Sequence, residues 1–413
     1  MPETSWRLRT TPAFRLMLAT SWLAPAAWQE RQAEAKMEAI GAGLDWAEYI
    51  RWVDRHRTPA LSWAALQRLP ELEMPQSIRQ QLQERSEACR RSALGHSLQL
   101  AAVLKALNRA GIPVMPLKGP LLSLELYGDI TLRQAKDLDL AVAPGDLPAA
   151  QACLQDMGWH PDSSWFPLSP RQWQSCLQHD HHLDLFHAQA GGILELHWQN
   201  IWDGPGQTAA GWARSVPSLW QGCSYRAMEP IDRVLYLCSH GGEHAWSRAK
   251  WLGDLARIYT QGLGELVDWE AALARASDTG QRWPLLAGLR LLNEAYGLPL
   301  PRLSRDRSEP WKSMPSSLIQ VSLRTLVDAR DPGARGRLAR LSELLRLARY
   351  HRLVLPHASW RRALSELAYR REDFRTLRLP DRLFWAYVPL SPILRVWRWA
   401  RRLQLRPSPS DDS

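Results

Sequence analysis

Apolar residues at helical spacing mark Glu30 to Met37 and Leu44 to Val53, and a turn at Pro70 and Pro75 closes this first stretch. From Ala93 the pattern changes. Leu94, Leu98, Ala101, Leu104 and Leu107 form an apolar stripe that stops at Ala110-Gly111, which predicts a helix ended by a glycine. The apolar run Ile112 to Leu117 follows, and Pro113 and Pro116 demote it to an edge or irregular strand. Lys118-Gly119-Pro120 opens a short helix over Leu121 to Tyr127, with proline placed in the first turn. Leu138 to Val142 reads as a compact strand. Asp146 is the expected N-cap of a helix through Leu147, Ala150, Leu154 and Met157 that ends at Gly158. His182 to Phe186 and Ile193 to Trp198 alternate on either side of Gly191-Gly192, the pattern of a hairpin. Helix and strand alternate here, so a small sheet carrying helices is expected. From Ile231 to about Tyr296 the period is helical again. Pro299, Pro301, Ser304 and Pro310 mark a connector, the remainder to Leu405 is helical, and Pro407 to Ser413 reads as a disordered end.

Composition narrows the class. A chain of 413 residues is long enough for more than one unit, and 45% apolar with 23% charged residues excludes a disordered or fibrous protein. Tryptophan is overused, 22 copies against 5 Phe and 9 Tyr, and is read as aromatic bulk for the core. The apolar run Leu383 to Leu394 is too short to span a membrane and is broken by Pro389 and Pro392. Arg7, Arg9 and Arg15 precede a weakly apolar stretch that carries no convincing signal-peptide cleavage site. Cys89, Cys153, Cys176, Cys223 and Cys238 are odd in number and never spaced CxxC, so reduced thiols and a cytoplasmic location are expected.

The net charge of +10 is not spread evenly. Asp331 to Ser413 holds 18 Arg, no Lys and 8 acidic residues, and the rest of the chain is neutral. Nucleic acid is therefore not expected as a partner. Arg395, Arg398, Arg401 and Arg402 follow the apolar run, with Trp397 and Trp399 between them. Such a segment suits peripheral contact with an anionic membrane. The reading adopted from sequence is the plainer one, a solvated structural cap on the helical body.

The chemistry concentrates in Asp137-Leu138-Asp139-Leu140. On a strand the two Asp share a face while Leu138 and Leu140 enter the core. Neighbouring carboxylates repel, and a hard cation such as Mg²⁺ relieves the repulsion while also holding phosphates. Glu195 recurs in the same setting, between Leu194 and Leu196, and Lys118-Gly119 places a cation and a glycine at a helix start, where backbone amides receive phosphate.

This ordered set resembles the nucleotidyltransferases of the DNA polymerase β-like superfamily, and most of all a bacterial group known as the uncharacterised nucleotidyltransferase family. The matching words are Leu117-Lys118-Gly119, Tyr127, Arg133, Asp137-Leu138-Asp139-Leu140, the Gly158 turn, His181-His182 and Leu194-Glu195-Leu196-His197-Trp198. His240, Trp246, Trp251, Asp254 and Leu379-Pro380-Asp381 continue it, so the resemblance covers most of the chain. It implies an α+β fold, a small mixed β-sheet core embedded in a mostly helical chain. It divides the chain into an N-terminal helical region (1–92), a nucleotidyltransferase core (93–227), a helical region packed on that core (228–300) and an Arg-rich helical C-terminal region (301–413).

The activity implied is metal-dependent transfer of an NMP from an NTP such as ATP to an acceptor (a small molecule, peptide or glycan intermediate), releasing pyrophosphate. Asp137, Asp139 and Glu195 would be catalytic and hold Mg²⁺ or Mn²⁺; Lys118, Gly119, Arg133 and His197 would bind nucleotide. One departure stands out: Pro120 occupies a position where the superfamily usually has Gly or Ser, removing an N–H and a hydroxyl from the phosphate site. A non-catalytic binding module on the same fold is the alternative. A second alternative is a zinc metalloprotease through His240, Glu243 and His244, which spell H-x-x-E-H. The adjacent Gly241-Gly242 weigh against that helix by about 2 kcal/mol relative to Ala.

Overall fold

The computed structural model describes residues 10–25, 29, 43–69, 72–161, 168–199, 207–261, 267–301, 310–328, 337–354 and 369–404. The expected helix over Glu30 to Met37, the connector residue Ser304 and the expected disordered end over Pro407 to Ser413 lie outside these residues.

The N-terminal helices are α1 (Pro12–Thr20), α2 (Trp46–His56), α3 (Pro59–Leu66) and α4 (Gln76–Arg109). Side chains cap the first two: Thr11 accepts from the Phe14 amide and Asp45 from the Glu48 amide. Helix α4 is 34 residues long and passes through Ala93 without a break. The change of pattern expected at that point is a change of partner, not a boundary between elements. Before it, Ile78 and Leu82 enter the helical core; after it, Leu100, Val103, Leu104 and Leu107 cover the sheet. Leu104 and Leu107 of the expected stripe are buried, but its first two leucines are not. Leu94 and Leu98 are exposed, while Ala93 and Ser97 are buried one position earlier.

Strand β1 (Val114–Pro116) leads into α5 (Pro120–Tyr127), β2 (Leu138–Val142), α6 (Leu147–Asp156) and β3 (Trp159–Pro161). Asp146 precedes α6 as expected, but its side chain makes no capping hydrogen bond; a 3-10 turn over Pro144–Asp146 starts the helix instead. Helix α7 (Pro170–His179) precedes the antiparallel pair β4 (His182–His187) and β5 (Ile193–His197). The five strands form a mixed sheet in the order β1-β2-β5-β4-β3, with β2 and β5 parallel. The proline-bearing β1 is an edge strand, as the sequence requires. Leu138, Leu140, Val142, Leu183, Leu185, Leu194 and Leu196 pack against α4 and α6. Strand alternation therefore turns every polar member of these strands to the opposite face.

Helix α8 (Gln207–Arg214) precedes a hairpin of β6 (Val216–Trp220) and β7 (Cys223–Ala227). Helices α9 (Pro230–Glu243), α10 (Ala249–Thr260), α11 (Trp269–Asp278) and α12 (Arg282–Tyr296) then share one core with α1 and α2, through Phe14, Met17, Val53, Leu237, Leu255 and Leu292. Gly241 and Gly242 do not break α9. A Cβ at Gly241 would stand 2.6 Å from the buried Trp246 ring, so close packing is what that glycine permits.

The C-terminal part comprises α13 (Ser316–Leu326), α14 (Arg337–Val354), α15 (Arg371–Thr376) and α16 (Tyr387–Gln404). The last two dock on α7 through Cys176, Phe374 and Tyr387, and Gln172 Nε2 donates to Tyr387 Oη at 3.1 Å. The architecture is α+β, mostly helical around one small mixed sheet. Among the described residues no helix is long and apolar enough to cross a membrane.

Candidate active site

Parallel pairing of β2 with β5 sets Asp139 directly opposite Glu195 and Ala141 opposite His197. Antiparallel pairing of β4 adds Asp184 opposite Glu195 and His182 opposite His197. Register thus gathers three carboxylates in one row across the sheet, with a histidine pair beside them. Asp137 stands at the bend just before β2, two residues from Asp139. A cleft of about 490 Å³ opens on this face; Lys118, Asp137, Asp139, Glu195 and His197 form its floor. Its opposite wall comes from α9 and α10, with His240, Glu243, Lys250 and Trp251, and from His244 just after α9.

Charges in the floor are tightly coupled. Asp139 is buried, and Lys118 Nζ lies 2.8 Å from its Oδ1. Burial opposes ionisation of Asp139, but Lys118 and His197 outweigh it and hold the carboxyl well below its usual range. Burial likewise opposes the Lys118 ammonium, and Asp139, Tyr236 and Glu195 overcome it and raise its pKa. His197 Nε2 reaches Glu195 Oε2 at 3.3 Å and Asp139 Oδ1 at 3.7 Å. Asp137 goes the other way: burial, then repulsion from Asp139 and Glu195, raises its pKa. Gly119 precedes α5 at φ 78°, a left-handed conformation that favours glycine.

Arg133 lines the cleft, but its Nε is held by both oxygens of Asp254 at 2.9 and 2.8 Å in a fully buried pair. That pair ties the loop before β2 to α10. Lys250 Nζ, one turn earlier on α10, donates to the Gln134 carbonyl at 3.0 Å. Burial, reinforced by Arg133, lowers its pKa to about 7. Burial also keeps His240 neutral, and with Lys118 it lowers His244 to about 4. The His244 ring stacks on Trp251 with centroids 4.9 Å apart.

Every site residue expected from sequence reaches this one cleft: Asp137, Asp139, Glu195, Lys118, Gly119, Arg133 and His197. His240, Glu243 and His244 line it too, with ligand atoms within 4.8 Å of one another, so the H-x-x-E-H word belongs to the same cavity as the carboxylates. Three ligand sets gather at the sheet at the same closeness: Asp139 with Glu195 and His197, His182 with Asp184 and Glu195, and His181 with His182 and His197. The sequence reading missed Asp184. Its signal was present: His182-Leu183-Asp184-Leu185 alternates just as Asp137-Leu138-Asp139-Leu140 does. It also missed Arg57, Tyr236 and Arg248, which line the cleft from segments with no recognisable motif.

The sequence model of a family described as uncharacterised nucleotidyltransferase matches residues 42–297, and the chain belongs to that family. The match spans the sheet, the cleft and both of its walls. No curated protein and no solved structure matches the chain.

Proposed function

We propose that this member of the uncharacterised nucleotidyltransferase family moves a nucleoside monophosphate from a nucleoside triphosphate to an acceptor and releases pyrophosphate. The observation that carries the reading is Asp139 in register with Glu195, with Asp137 beside them, inside a cleft that also holds Lys118.

The donor set fits a hard divalent cation. It offers carboxylate oxygens, and Asp139 and Glu195 bring ligand atoms within 4.8 Å of each other beside Asp137 in the same cleft. Asp137, Asp139 and Glu195 would hold Mg²⁺ or Mn²⁺, which neutralises charge on the triphosphate and makes an acceptor hydroxyl easier to deprotonate. The chain's own groups supply the rest. Lys118 places a permanent positive charge at the floor beside Gly119, where phosphate oxygens meet a backbone with no Cβ. His197 braces Glu195 through its Nε2. The neutral His240 and His244, with Trp251, give a polar and aromatic wall suited to a base or sugar. Arg133 acts by holding α10 over the sheet through Asp254.

Calorimetric titration of each NTP with Mg²⁺ into the wild-type protein, followed by pyrophosphate release in the presence of a cell extract, tests this reading. Saturable Mg²⁺-dependent binding and extract-dependent pyrophosphate release are expected. Absence of nucleotide binding with every NTP overturns it, and binding without release under any extract favours the non-catalytic module.

A further inference from the structure

Helix α16 is packed the wrong way round for a helix surrounded by water. Tyr387 and Ser391 are buried, and Arg398 is tied to the buried Asp373, so these positions mark the face turned to the protein. The opposite half of the helix is solvent-exposed and apolar. At about 100° per residue, Pro389, Pro392, Ile393, Val396 and Trp397 fall within it, with the exposed Val388 at its edge. Ile393 is 63% exposed and Val396 64%, and Trp385, just before the helix, is 63% exposed. Tryptophan elsewhere fills the core, as at Trp22, Trp159 and Trp246. Here two rings are presented outward. Positive charge borders them. The Arg401 guanidinium lies 4.5 Å above the Trp397 ring, and Arg375, Arg378 and Arg382 are exposed on the preceding segment.

We propose that this face docks on an anionic lipid bilayer, with the apolar half of α16 in the headgroup boundary and the arginines on acidic headgroups. Three observations select this occupant. The helix has 18 residues, an internal proline and Arg395, Arg398, Arg401 and Arg402, so it suits lying in the plane of a surface and not crossing it. Tryptophan beside arginine at the edge of an apolar face matches the chemistry of a headgroup layer, where rings sit at the interface and guanidinium groups meet phosphate. Arg375, Arg378, Arg382 and Arg401 are exposed beside this face, so two copies of it would repel each other while an acidic surface neutralises them. The surface is not loosely tethered. Gln172 bonds Tyr387 and Ser169 bonds Asp381, fixing α16 to α7, which leads directly into His182 of the site. Docking would therefore hold the cleft at a fixed attitude to the membrane.

The test is co-sedimentation of the full chain with phosphatidylcholine vesicles that contain or lack about 30% phosphatidylglycerol, at low salt and again at about 0.5 M salt. Sedimentation with the anionic vesicles alone, and release by salt, is expected. Ile393→Asp and Trp397→Asp, made separately, replace exposed side chains; each should weaken binding by about tenfold while leaving thermal unfolding unchanged, because a charge is expelled from the headgroup boundary. Full-length protein remaining in the supernatant at low salt overturns the proposal. So does wild-type binding in both variants, which would place contact elsewhere. A dimer in light scattering that both variants dissolve would assign the face to a second copy and overturn it as well.

Discussion

Asp139 on β2 stands directly opposite Glu195 on β5, and the half-buried Lys118 ammonium reaches the buried Asp139 at 2.8 Å. Asp139 is thus locked into the fold by its lysine, whereas Asp137, at the bend just before the same strand, has no ion pair of that closeness and sits among like charges. The two acids share a face but differ in what they do for stability. One holds structure together and the other strains it.

That difference predicts how the two carboxylates separate in experiment. Asp137→Asn should abolish Mg²⁺-dependent NTP turnover and leave the melting temperature at or above wild type, because a repelled charge has been removed. Asp139→Asn should also lose turnover but lower stability by about 3 kcal/mol, since it strands a half-buried ammonium. Turnover together with chemical denaturation of both variants checks this, and activity within a few-fold of wild type in Asp137→Asn contradicts the assignment.

Glu195→Gln should lose turnover yet still bind nucleotide. Asp137, Asp139 and Lys118 remain to receive the triphosphate, while the group opposite Asp139 that His197 braces at 3.3 Å loses its charge. Calorimetry showing that this variant binds no NTP would contradict the division of roles.

Much of this site was legible in the sequence because strand alternation is a strong local signal. Asp137-Leu138-Asp139-Leu140 and Leu194-Glu195-Leu196 declare both their buried and their polar faces, and β2 has the bounds expected of it. What alternation does not reveal is pairing. That Asp184 joins the row depends on β4 lying antiparallel to β5, a long-range fact. The hairpin β6–β7 was missed for a different reason. Its turn is Gln221-Gly222, both at positive φ, with a glutamine where asparagine or aspartate usually announces such a turn. The H-x-x-E-H helix illustrates tertiary override: two glycines counted against a helix by propensity sit inside α9, where Trp246 occupies the space left at Gly241 and Val354 the space left at Gly242. The cleft's second wall, likewise, exists only because α10 folds back over the sheet.

The Arg133–Asp254 pair should matter more to stability than to binding. Both groups are buried, and breaking one partner leaves an uncompensated charge. Asp254→Asn is expected to cost about 3–5 kcal/mol in urea unfolding, and the double variant Arg133→Met with Asp254→Leu to recover most of that loss. A double variant as unstable as the single one would mean that the charges contribute net attraction beyond neutral packing.

Lys250 carries the clearest pH signature. Its folded pKa is lowered to about 7 from an ordinary 10.5, by burial first and by Arg133 next. Below about pH 7 both folded and unfolded chains hold the proton, and the fold bears the full cost of a buried ammonium. Between pH 7 and 10.5 the unfolded chain still holds a proton that the folded one has released, so stability rises with pH and the cost fades. A shift of this size corresponds to about 5 kcal/mol at most. Replacing Lys250 with methionine removes the charge but leaves the Gln134 carbonyl without its 3.0 Å donor, which returns about 1–3 kcal/mol. Lys250→Met should therefore be stabilised over wild type by about 2–4 kcal/mol near pH 6, and the advantage should vanish or reverse near pH 9. Urea unfolding of both proteins across this range measures the difference. A constant offset between them at every pH would show that Lys250 stays charged in the folded protein, with a partner in the cleft that compensates its burial.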